Sequence, residues 1–179
     1  MKFTYEAYRG LLTLLREQGY AIRNYHNYAD VPRCAILRHD IDYSLDQVVR
    51  LAELEAEENV SSTWFVLLRT DFYNAASKSG QEALRRIRSL GHEIGLHFDE
   101  TSYVPDLGPD KVIENIIKEC GLLSALLGGV PHQEISCVSM HIPPCATLEA
   151  DYAIPGIVNS YGKTFFHDFK YLRQPAQVA

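Results

Sequence analysis

The sequence predicts an α/β domain built on a parallel sheet or barrel, and three observations predict it. Short apolar runs alternate with amphipathic stretches between residues 31 and 140. The runs are β-branched and aromatic enough to be covered on both faces, and three of them end in a polar cluster. Crossovers between parallel strands are right-handed, and sites in such folds gather at the strands' carboxyl ends. With 179 residues, 46% of them hydrophobic, the chain fits one domain over residues 1–179 with material for a core.

The elements follow in order. Thr4 can cap a first helix in which Leu11, Leu12, Leu14 and Leu15 recur at helical spacing, and Gly19 can stop it. Val31 to Asp42 holds the first core strand. Ser44-Leu45-Asp46-Gln47 has the form of a capping box, and Leu45, Val48, Val49 and Ala52 make the inner stripe of a helix from Ser44 to Glu58, with Asn59 as its stop. Ser62 to Leu68 is a second strand. Lys78 to Leu90 reads as a helix ended by Gly91, and His92 to His97 as a short strand running into Phe98-Asp99-Glu100-Thr101. Gly108-Pro109 opens a longer helix carrying Val112, Ile113, Ile116, Ile117 and Leu123, with Pro109 suited to its first position. Ile135 to Met140 is a fourth strand. Beyond His141 the pattern weakens: Ile142-Pro143-Pro144 is a loop, Gly156 to Ser160 and Lys170 to Leu172 are candidate strands, and no helix is predicted between them.

Composition excludes several partners. A net charge of −6 without a long Lys or Arg run gives no electrostatic reason to expect nucleic acid or an anionic membrane. Met1 to Glu6 lacks the charged-then-apolar pattern of a signal peptide, and the longest apolar stretch, Gly121 to Val130, is too short to span a bilayer, so a cytoplasmic protein is expected. Cys34, Cys120, Cys137 and Cys145 show no C-x-x-C spacing and read as buried free thiols.

Strand alternation sorts the polar residues. Asp40 and Asp42 share a face at the first strand's exit; Arg38 is in phase with them, able to pair with a carboxylate or steer an anionic substrate, and His39 is out of phase. In the strand His92 to His97, Glu93, Gly95 and His97 share one face, so His97 is the histidine able to face the aspartates, while His92 and Glu93 read as structural. His141 ends a different strand. One hard carboxylate with imidazoles from separate strands suits Zn²⁺ or another divalent ion, with a coordination position left open. A single His or Asp is more often a hydrogen-bonded structural group or a helix cap, but three clusters coinciding at strand ends outweigh that reading. Trp64 and Phe65 read as core, and His26 and His132 lie in polar loops with no constellation to join. His167 and Asp168 follow an aromatic pair and are a secondary candidate for a late loop facing the site.

These residues also carry a resemblance. Arg38-His39-Asp40-Ile41-Asp42 is similar to the H-D-[IV]-D variant of the first motif of polysaccharide deacetylases of the NodB-homology type. Gly91-His92-Glu93-Ile94-Gly95-Leu96-His97 resembles their second motif, G-H-E-I-G-x-H. Ser139-Met140-His141-Ile142-Pro143-Pro144 resembles the third, in an S-x-H-x-P form where R-x-P-P is usual. The resemblance spans about residues 35–144. It implies a distorted (β/α) barrel and metal-dependent removal of acetyl groups from N-acetylated sugars.

Carried over, it implies Asp40 as general base and Asp42 as metal ligand, the two roles being open to exchange, and His97 as a metal ligand. The family's second histidine falls at Thr101, so another group must complete the metal site. His141 is the first candidate, with Glu100 and Asp99 as local alternatives. In a catalytic role His141 would orient substrate, stabilise the oxyanion or protonate the leaving amine.

The resemblance further implies a domain longer than this chain, so an incomplete barrel shortened at the C-terminus is expected, with Lys170 to Ala176 reading as an interrupted continuation. Its sheet edges would need covering, as a homo-oligomer would do. The expected function is therefore a metal-dependent hydrolase, with Zn²⁺ (or Co²⁺, Ni²⁺, Mn²⁺), acting on an N-acetylated saccharide or related small amide. The alternative is a catalytically silent saccharide-binding or assembly protein of the same fold.

Overall fold

The computed structural model describes residues 4–103, 108–128 and 135–170. Helix α1 (Tyr5–Glu17) begins where the Thr4 hydroxyl accepts a hydrogen bond from Ala7 N at 3.1 Å, and Gly19 turns the chain out of it with φ +75°. The predicted strand Val31 to Asp42 is divided. β2 (Cys34–Ile36) pairs with an unpredicted β1 (Ala21–Arg23), and β3 (Arg38–Ile41) pairs with β4 (Thr63–Leu67). Leu37, at the division, packs with Leu12 and Val60, and its carbonyl accepts from Thr63 N at 3.0 Å.

Helix α2 (Leu45–Glu57) starts at the Ser44 cap and ends before Asn59, which takes a left-handed φ of 54°. Helix α3 (Lys78–Ser89), β5 (Glu93–Phe98), helix α4 (Pro109–Leu126) and β6 (Cys137–Met140) follow close to their predicted places. β7 (Val158–Asn159) falls within the predicted Gly156 to Ser160.

The five-stranded sheet has the order β3-β4-β5-β6-β7, parallel throughout. Strand order never reverses, and the helices pack together on one face of the sheet, unlike the two-faced cover of a doubly wound sheet. On the helix side, Trp64, Val66, Ile94, Leu96, Phe98 and Val138 join Leu84, Ile87, Ile116 and Leu123 in the main core. The inner face carries Phe65 and Cys137, which pack with Tyr25 and Phe165. Gly95 makes room there: a Cβ at this position would stand 2.6 Å from the Phe65 ring. Filling it with alanine would cost about 1–3 kcal/mol through overpacking.

The structure corrects two further expectations. A short helix α5 (Cys145–Ala150) and a π-helical turn, Thr164–Asp168, lie where no helix was predicted. Six residues of α5 are too few for an apolar period, and its exit uses Asp151 at φ 47° in place of a glycine. The thiols are not uniformly buried: Cys120 and Cys137 are, whereas Cys34 is half-buried and Cys145, at the start of α5, is exposed. Lys170 has no regular structure, and His132 and residues 171–176 lie outside the described residues. Among the described residues no helix is long and apolar enough to cross a membrane.

Candidate metal centre

The inner face of β3 presents Arg38 and Asp40. Arg38 donates from Nε to Asp40 Oδ1 at 2.9 Å and from Nη2 to Asp40 Oδ2 at 2.7 Å, a two-pronged clamp that fixes the carboxylate plane. The same guanidinium donates to Ser139 Oγ on β6 and lies over the Tyr161 ring at 4.9 Å. Arg38 thus resolves as a carboxylate partner.

Strand β5 delivers His97, only 3% exposed, with Nδ1 at 3.1 Å from Ser139 Oγ. Ser139 can accept from both Arg38 and an Nδ1–H of His97. In that tautomer Nε2 presents a bare lone pair to the strand ends, the form a cation requires. His141 follows β6, its backbone N donating to Phe98 O at 2.8 Å.

Three donor atoms from three strand exits converge here. His97 Nε2 lies 3.5 Å from Asp42 Oδ1 and 3.2 Å from His141 Nδ1, and His141 Nδ1 lies 3.6 Å from Asp42 Oδ1. A tetrahedral ion with bonds of about 2.1 Å has ligand-to-ligand edges of about 3.4 Å, so the triangle has the size of one face of such a site. Asp42 Oδ1 is buried with no hydrogen-bond partner among the described residues, an acceptor left for something the chain does not supply. The facing His97 imidazole holds the Asp42 carboxyl below its ordinary range, against the burial that would raise it, and His141 and Arg38 add to the effect. The donor set and the orphaned oxygen both fit a divalent cation. Asp40 stands beside this triangle, with Oδ2 at 3.9 Å from His97 Nε2.

Asp99 and Glu100 are engaged elsewhere. Asp99 accepts from Thr101 N at 3.0 Å, Thr101 Oγ1 at 2.6 Å and Ser102 Oγ at 2.9 Å, capping a turn of 3-10 helix, while Glu100 accepts from Thr147 Oγ1 of α5 at 2.5 Å. His39 and His92 turn to the helix side, as alternation requires. His39 meets buried Glu55 at 2.7 Å, and His92 Nε2 meets Ala52 O at 2.9 Å. His26, expected to join nothing, bonds Glu93 Oε1 at 2.8 Å at the opposite end of β5, where Thr63 Oγ1 also donates to Glu93 at 2.8 Å. Trp64 and Phe65 are fully buried core.

The Asp42–His97–His141 triangle opens into a cavity of about 540 Å³, whose wall also includes Tyr43, Arg69, Phe72 and Tyr161 but not His167 or Asp168. Sequence reasoning missed these four. The available signal was position: Tyr43 follows Asp42 directly, and Arg69 and Phe72 follow the exit of β4.

No protein-family model matches the chain, and no curated protein matches it. Solved structures do. IcaB from Ammonifex degensii superposes with a TM-score of 0.56 at 14% identity, over 86% of this chain and 70% of that one. The Streptococcus pyogenes deacetylase PplD, solved in complex with acetate, gives 0.53 at 12% identity, over 72% of this chain and 58% of that one. A weaker likeness, with a TM-score of 0.43 at 20% identity, links 59% of this chain to 46% of a family 4 carbohydrate esterase from Bacillus anthracis. The chain therefore spans about half the length of those last two proteins. At such identities the likeness establishes fold alone: over the regions covered, the chain shares the fold of IcaB and of the PplD deacetylase.

Proposed function

We propose that the chain is a metal-dependent hydrolase that removes an acetyl group from an N-acetylated sugar or related amide. The observation that carries this reading is the triangle of Asp42 Oδ1, His97 Nε2 and His141 Nδ1, with edges of 3.2 to 3.6 Å, beside a clamped second carboxylate. Zn²⁺ suits two imidazoles and a carboxylate with a fourth position open, and Co²⁺, Ni²⁺ or Mn²⁺ can use the same donors. Such an ion supplies Lewis acidity, lowering the pKa of water and polarising an acyl oxygen.

The chain's own residues then do the following. Asp40, oriented by Arg38, accepts a proton from the water whose oxygen bonds to the acyl carbon. As the C–N bond breaks, that proton passes from Asp40 to the leaving nitrogen, giving acetate and a free amine. Ser139 keeps His97 in the tautomer that leaves Nε2 bare.

Elemental analysis of the purified chain, followed by acetate release from N-acetylated saccharides with Zn²⁺, Co²⁺, Ni²⁺ or Mn²⁺, tests the reading. Stoichiometric metal lost in His97→Ala and Asp42→Ala, with acetate release lost in Asp40→Ala, is the expected result.

One observation favours a second reading, a silent saccharide-binding protein: Arg38 engages both oxygens of Asp40, the group that must accept the proton. Full metal occupancy without hydrolysis of any acetylated saccharide, amide or ester would select it.

A further inference from the structure

Strand β5 opens on a carboxylate that the chemistry above does not use. Glu93 stands on the inner face, in phase with Gly95 and His97, at the end of the sheet opposite the Asp42–His97–His141 triangle. Three polar side chains hold it. Thr63 Oγ1 donates to its Oε2 at 2.8 Å, His26 Nε2 meets its Oε1 at 2.8 Å, and Ser136 Oγ, 3.1 Å from the same ring nitrogen, donates to Oε1 at 3.3 Å. His26 arrives from the loop after β1, where Asn24 Oδ1 accepts from the backbone N of His26 at 2.9 Å and of Asn27 at 3.1 Å, so an ordered turn delivers the ring.

The strand register links this network to the other end of the sheet. Arg38 pairs with Thr63 and Thr63 with Glu93, so the three residues form one rung, and their side chains share the inner face. Two strand spacings of about 4.8 Å separate the Arg38 and Glu93 backbones, a span that a guanidinium and a carboxylate on their stems cover together. Buried Cys137 senses both charges: burial raises its thiol well above the ordinary value, Glu93 adds to the rise and Arg38 opposes it. The Arg38 side chain is 13% exposed and that of Glu93 16%, so water would do little to screen an ion pair between them. Arg38 turns instead along its own strand and takes both oxygens of Asp40.

We propose that His26, with Thr63 and Ser136, keeps Glu93 away from Arg38 and so reserves the guanidinium for Asp40, which makes His26 a positioning residue acting from the far end of the sheet. The effect on turnover rests on the deacetylase reading, whereas the exchange of partners is read from structure alone. Without His26, Oε1 of Glu93 keeps only the Ser136 hydroxyl, and a guanidinium able to bond both its oxygens is the stronger partner. Removing the Glu93 charge as well ends the competition.

The test is a set of crystal structures, with acetate release from an N-acetylated saccharide measured on each protein: the metal-loaded chain, His26→Ala, His26→Gln, Glu93→Gln and the double variant His26→Ala/Glu93→Gln. In His26→Ala, Arg38 is expected within hydrogen-bond distance of Glu93, and acetate release should fall about tenfold, part of what a positioned base contributes. His26→Asn, too short to reach Glu93, should behave in the same way and serves if the alanine variant does not fold. Glu93→Gln should stay within about twofold of the parent, as should His26→Gln, whose amide can still donate to Glu93, and the double variant should regain both the Asp40 contact and the parent's rate within that margin. A latch with only a structural role gives no such rescue. Arg38 remaining on both oxygens of Asp40 in His26→Ala and His26→Asn, or a loss that persists in the double variant, would overturn the proposal. If no protein in the set releases acetate, the hydrolase reading fails, and the partner of Arg38 in each structure still upholds or overturns the role of His26.

Discussion

Two histidine–carboxylate clusters sit on opposite faces of the same strands, and they differ in how completely the chain satisfies them. On the helix side, Glu55 is fully buried and accepts from Tyr8 OH, from His39 Nε2 at 2.7 Å and from Ser62 Oγ at 2.5 Å. His92 bonds Ala52 O and Ser62 N at 2.9 and 3.2 Å, and Trp64 lies between the two imidazoles, stacked on His39 at 4.1 Å. On the inner side, Asp42 Oδ1 is buried without a hydrogen bond among the described residues and faces two ring nitrogens at 3.5 and 3.6 Å. The Glu55 carboxylate, its acceptors filled, fastens helices α1 and α2 to the sheet, although the neighbouring Trp64 Nε1 finds no partner among the described residues; the convergent inner donors leave room for an outside ligand. Residue type alone does not separate them. His39 and Asp40 are adjacent in sequence and belong to different clusters.

The largest effects should split along that line. We predict that His97→Ala lowers metal affinity more than about 100-fold, read by chelator competition, whereas His39→Ala leaves it within a few-fold of the parent. Loss of metal from both variants would show that the clusters are coupled. Next, Asp40→Asn should keep the metal and reduce acetate release by about 10² to 10⁴, measured against the same saccharide. Retention of full turnover would remove Asp40 from the proton path.

On the outer side, Glu55→Ala should cost on the order of 3–5 kcal/mol in denaturant titration, because it strands His39, Ser62 and Tyr8 in the interior. A near-neutral result would mean that the cluster is not a fastening.

The smallest effect is a pH dependence. Burial alone would push the Glu55 carboxyl up, but the His39 imidazole, with the Ser62 and Tyr8 hydroxyls, outweighs it and leaves the group below the ordinary glutamate range. Its folded pKa lies below the unfolded one, so its contribution is complete above about pH 4.3 and disappears as pH falls through the folded value. Stability measured across that window should therefore drop with acid in the parent and drop less in Glu55→Gln.

Much of this division was legible because alternation along a strand is a geometric rule. It sends Arg38 and Asp40 to one face and His39 to the other, and it separates His97 from His92. The strand-end placement of Asp42, His97 and His141 follows from the α/β rhythm in the same way. Other features leave no periodic trace. β1 has three residues, α5 has six, and Tyr43 and Phe72 meet only because two loops at neighbouring strand exits bring them within 4.8 Å. His26 reaches Glu93 across 67 positions of sequence, a contact that no local pattern announces.

The central claim is that side chains from three separated segments share one cation. An anomalous-difference map of crystals of the Zn²⁺-loaded chain tests it most directly. The account predicts one strong peak within about 2.3 Å of Asp42 Oδ1, His97 Nε2 and His141 Nδ1. A map with no peak there, or with its strongest peak at Glu55 or at the His26–Glu93 pair, would contradict it.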